Sequence, residues 1–131
     1  MNKIWIGLGL GAVLGAIDGA CAGFYPEVRE VPGKVLFISF ASAGKGLVAG
    51  LITGFVARRL RSMPLGLLVG LASGVLLSLI PALSRDPDTG QVYFWEIMIP
   101  GAICGMIVGY VTQRYGVGAA PKLDAQPHAV R

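Results

Sequence analysis

Charge is scarce in this chain. Only 14% of its 131 residues are Asp, Glu, Lys or Arg, against about 25% in ordinary soluble domains. That shortage excludes a chain disordered as a whole and an ordinary cytosolic enzyme. Histidine is rarer still. The single one, His128, lies near the end of the chain, so the apolar segments hold no histidine for metal or acid–base chemistry. The two cysteines, Cys21 and Cys104, are far apart and both sit in apolar sequence. They form no disulfide framework, C-x-x-C pair or zinc pattern. Glycine is plentiful, but no Lys-Ser/Thr follows it as a phosphate loop requires. The expectation is a protein that is not an enzyme and uses no metal or cofactor.

What the chain does have is long apolar runs, at about 4–24, 35–57, 65–83 and 95–113. At 1.5 Å per residue each can cross a hydrocarbon core of about 30 Å. The expected fold is an all-α integral membrane protein of four spans. Residues 1–115 form one membrane domain, and the Gly-, Ala- and Pro-rich stretch 116–131 is a disordered cytoplasmic tail. The connecting segments are too short for a further domain.

Basic residues give the orientation. Lys3, Arg58, Arg59, Arg61, Arg114, Lys122 and Arg131 fall on the side of the termini, while Arg29, Lys34 and Arg85 on the other side are offset by Glu27, Glu30, Asp86 and Asp88. The positive-inside rule then places both termini in the cytoplasm, as in a bacterial inner or a plasma membrane. The net charge of +4 reads as this topology signal, with no nucleic-acid partner. Ala20-Cys21-Ala22 resembles a signal-peptide cleavage site, but Asp18 just before it does not suit one, so the first span is expected to be retained.

A shift of 55 positions aligns Gly11, Gly15 and Gly19 with Gly66, Gly70 and Gly74, and Pro26 with Pro81. It also aligns Gly46, Gly50, Gly54 and Arg59 with Gly101, Gly105, Gly109 and Arg114. The chain thus reads as two tandem helical hairpins, 1–57 and 58–115, related as parallel repeats. With Gly7, these glycines recur at every fourth position, which on a helix makes a groove without side chains. Such rows let backbones approach closely in lipid, where no hydrophobic force drives helices together. They either hold the four helices of one subunit together or form a homo-oligomer interface.

Two charges lie within the spans. Asp18 is roughly 9 Å from the end of the first span, and Lys45 roughly 15 Å into the second, at 1.5 Å per residue. A central Asp costs about 2.5 to 3.5 kcal/mol to insert, less when off-centre, which favours pairing. The pair either fixes hairpin register or handles protons or ions. The second half carries Ser73 and Pro100 at these positions, so any such site is asymmetric within the chain. Pro100 is the candidate kink of the last span, because it removes a backbone donor near Glu96. Asp86-Pro87-Asp88-Thr89-Gly90 lacks the closing Glu of a calcium loop and reads as a surface turn.

In size, span count and a first-helix carboxylate the chain resembles the small multidrug exporters; the likeness is architectural and includes no sequence pattern of that family. The expected activity is that of an oligomeric channel- or transporter-like membrane protein centred on Asp18 and Lys45. The alternative is an accessory protein whose glycine grooves bind other membrane helices.

Overall fold

The computed structural model describes residues 2–59 and 62–116. The expected disordered tail beyond Gly116, with Lys122, His128 and Arg131, lies outside the described residues, as does Arg61.

The chain is helical. Helix α1 (Lys3–Ala20) starts at Asn2, whose extended backbone and side-chain acceptor for the Ile4 N–H make an N-cap. It passes into a 3-10 turn, Cys21–Phe24, and the short α2 (Pro26–Arg29). The turn at Gly33 takes a φ of +76°, which only glycine adopts without strain. Then come α3 (Lys34–Arg59), α4 (Met63–Leu83) and α5 (Phe94–Tyr115). Four helical segments, Lys3–Phe24, Lys34–Arg59, Met63–Leu83 and Phe94–Tyr115, are long and apolar enough to cross a membrane. Their ends fall close to those of the apolar runs. The bundle has a termini end, near Lys3 and Tyr115, and a loop end, where 21–33 and 84–93 reverse the chain.

Burial is inverted relative to a soluble domain. Ala57, Ala82, Thr53, Ser78 and Thr112 are the most enclosed residues, whereas Phe37, Phe40, Leu68, Leu76 and Ile80 are exposed. A water-soluble protein would bury those rings and branched chains. In lipid the small residues go inward, because they let backbones meet, and the large apolar ones face acyl chains. The four helices therefore suit a small membrane protein.

Helix α1 packs chiefly on α3, and α4 chiefly on α5; among the described residues α1 and α4 do not touch. The α1–α3 contact is backbone on backbone: a Cβ on Gly11 would fall on the Gly46 carbonyl oxygen, and one on Gly50 on that of Gly7. In the α4–α5 pair, Gly70 meets Gly105 and Gly74 meets Gly101 in the same way.

The 55-residue correspondence does not carry over to this pairing. It would map the Gly11–Gly46 contact onto Gly66 and Gly101. Instead Gly109 packs on Gly66, two glycine steps further along α5, while Gly101 packs on Gly74. The cause lies at the loop end. Helix α4 continues through Pro81 to Leu83, whereas α1 gives way to the 3-10 turn at Cys21, well before Pro26. A ladder with a glycine at each fourth residue accepts such a slip, since each step presents the same flat surface.

Helix α5 also packs on α1 and α3, and α4 on α3, and polar contacts add to this packing. Thr53 Oγ1 lies 3.2 Å from Ser73 Oγ, joining α3 to α4. At the termini end, Lys3 Nζ donates to the Ala57 carbonyl at 3.0 Å and to Gln113 Oε1 at 3.2 Å.

Candidate functional site

Asp18 and Lys45 each stand next to a glycine of the α1–α3 seam. Gly19 faces the Ser39 backbone and Gly46 faces Gly11. Because these glycines draw the two backbones together, the neighbouring side chains emerge side by side. Lys45 Nζ lies 3.9 Å from Asp18 Oδ2, with the side chains 19% and 11% exposed. That separation is beyond hydrogen-bond length, and neither group has a hydrogen bond among the described residues. Lys45 and Asp18 thus form an ion pair whose separation leaves each group facing the cavity beside it.

The pair borders two spaces. Toward the loop end lies a cavity of about 780 Å³ between the helix pairs, reached by Asp18, Lys45, Glu96 and Pro100. Its walls are mainly apolar, with Phe24, Phe37, Ile80 and Ile97 among them. On the other side is a void of about 30 Å³, lined by Gly15, Ser42, Ser78 and Cys104 as well as the pair. That is room for a single water. The Ser78 hydroxyl beside it is fully buried and has no hydrogen-bond partner among the described residues.

Helix α5 runs through Pro100, whose ring lines the large cavity. Without an N–H, Pro100 leaves the Glu96 carbonyl short of its usual helical donor at the same wall.

A second charged group fastens the loop end. Lys34 Nζ, at the start of α3, donates to Asp86 Oδ1 at 2.6 Å and to Asp88 Oδ2 at 2.7 Å. Asp86 also accepts the backbone N–H groups of Asp88 and Thr89, and its carbonyl accepts from Gly90. The Asp86–Gly90 stretch is therefore a turn whose two carboxylates converge on an ammonium. The Lys34 hydrogen bond pulls the Asp86 carboxyl down to about 2, with the two N–H donors adding to it and partial burial opposing. Nearby, the Tyr25 and Tyr93 rings meet with centroids 6.2 Å apart, and Tyr93 donates to Thr89 Oγ1. Together these contacts tie the 84–93 loop to the first helix pair beside the cavity.

No protein family, curated protein or solved structure matches the chain. What can be said of its chemistry rests on the residues themselves.

Of the residues singled out from sequence, Asp18, Lys45 and Pro100 border one cavity. The row glycines lie along the α1–α3 and α4–α5 seams. Three features escaped the sequence reading. Lys3 reads as a topology charge, yet it is 7% exposed and hydrogen-bonded across three helices. The Lys34 clamp was signalled only by opposite charges in two loops on one side. Ser78 carried no signal, since serine is common in membrane helices.

Proposed function

We propose that this chain is an oligomeric channel- or transporter-like protein, with Asp18 and Lys45 at the polar centre of its pathway. The observation that carries this reading is the intramembrane ion pair, which lies between a large cavity and a small void. Ionisable side chains within membrane spans are costly and mark substrate, ion or proton pathways.

The architecture that goes with it is two tandem hairpins, each closed on its own glycine rows, in a bacterial inner or a plasma membrane with cytoplasmic termini. One chain contributes one pair, so copies around a common axis would be needed to surround a pore with it. No chemical conversion, cofactor or nucleic acid enters this reading. The accessory alternative needs free glycine grooves for partner helices. The close approach of Gly7, Gly11, Gly46 and Gly50 within the subunit favours transport over it.

The test is proton and ion flux in proteoliposomes, comparing the unmodified chain with Asp18→Asn and Lys45→Met. Flux above that of empty vesicles is expected, falling at least about tenfold in folded Asp18→Asn protein, a loss equivalent to about 1.4 kcal/mol. Equal flux in both variants would remove the pair from the pathway.

A further inference from the structure

The geometry points to a ligand class for the large cavity: a neutral zwitterion that carries its ammonium and carboxylate on one carbon and has an apolar body, that is, an apolar α-amino acid. This rests on the proposed role of the Asp18–Lys45 pair and names what that pair would hold.

The charge balance is the first argument. Aside from Asp86, which Lys34 engages, the charged residues at the cavity are Asp18 and Glu96 against Lys45 and Arg85. At the pair itself one carboxylate meets one ammonium, so a ligand with net charge of either sign would leave one member of that pair worse off. A zwitterion satisfies both. Its ammonium donates to the Asp18 carboxylate and its carboxylate accepts from the Lys45 ammonium.

Spacing is the second argument. Lys45 Nζ and Asp18 Oδ2 stand 3.9 Å apart with no hydrogen bond between them. Charge-assisted hydrogen bonds run to about 2.7–2.9 Å. Two ligand charges on one carbon can close a ring of such bonds with a pair at this distance. A zwitterion with its charges at opposite ends of a chain cannot. Third, the remaining walls are apolar, with the buried Val28 and the half-buried Ile38, Leu77 and Ile97. The volume of about 780 Å³ falls within the range of small-molecule pockets, about 300–1,000 Å³. An aliphatic or aromatic side chain would lie there, away from water.

The test measures binding of radiolabelled phenylalanine to the full chain in lipid nanodiscs, which needs no transport. Absent binding with intact flux would therefore sink this inference alone, whereas binding without flux would sink the transport reading alone. Phenylalanine should bind saturably in phosphatidylglycerol discs. Phenethylamine, 3-phenylpropionate and 6-aminohexanoate should each compete at least about tenfold more weakly. Asp18→Asn and Lys45→Met should each weaken phenylalanine binding by a similar factor. Since either variant could misfold, the analogue series on the unmodified chain decides by itself. If phenethylamine competed as well as phenylalanine, the site would be one for organic cations and the inference would fail. Ethanolamine lipid headgroups place an ammonium near an anion in a related way. Equal phenylalanine binding in discs with and without phosphatidylethanolamine assigns the free amino acid. Its displacement by that lipid would overturn the assignment.

Discussion

Lys34 shows how one side chain can organise a loop that the apolar pattern leaves undefined. Its ammonium reaches two carboxylates from the other helix pair, and Asp86 is further held by backbone donors. A carboxyl whose folded pKa is depressed contributes stability above its free value of about 4 and loses it as pH falls through the folded value. For Asp86, lowered to about 2, the clamp should hold at neutral pH and release between about pH 4 and pH 2. Trp95, just after this loop, is the reporter; a Trp5→Phe background removes the other tryptophan. Its fluorescence should be flat down to about pH 5 and change below pH 4. Lys34→Met should show the released signal throughout. A transition near pH 6 would mean that another group controls the loop.

At the scale of the helix, the seams depend on the absence of side chains. A Cβ on Gly50 would collide with the Gly7 carbonyl, whereas Gly9 and Gly44 have nothing within 4 Å. Gly50→Ala should therefore lower the unfolding free energy, by more than about 1 kcal/mol, because it exchanges a backbone contact for a gap or a strained carbonyl. Gly9→Ala and Gly44→Ala should be neutral or stabilising by up to about 1 kcal/mol through helix propensity. Unfolding in mixed micelles, monitored by circular dichroism, would test this; equal losses at all three positions would contradict the seam.

The span limits were legible because length and hydropathy alone decide what can cross a bilayer, and Met63–Leu83 lies close to the run at 65–83. Asp18 and Lys45 come near one another because the antiparallel spans of a hairpin bring residues of similar depth together. Register in the α4–α5 pair was not. A glycine ladder scores every four-residue slip alike, and the choice fell to α4 continuing through Pro81. Nor could the hydrogen bonds of Lys3 be read from a charge count. They depend on where Ala57 and Gln113 come to lie.

For the molecule as a whole, the proposed orientation puts Cys21 at the end away from the cytoplasm. It is exposed and borders the large cavity, while Cys104 is partly enclosed with its thiol toward the Leu14 carbonyl. A membrane-impermeant maleimide added outside intact cells should label Cys21 readily and Cys104 slowly. Labelling of Cys21 only in inverted vesicles would reverse the orientation. The contrast between seams has a mechanical side as well. Each hairpin closes backbone against backbone, whereas the two hairpins meet through less extensive helix packing and a few polar links. Lys3 and the Thr53–Ser73 contact sit toward the termini end, and the Lys34 clamp fastens the other. The cavity thus lies at the end that the Lys34 clamp fastens, so whatever enters it must pass a mouth held by that one ammonium.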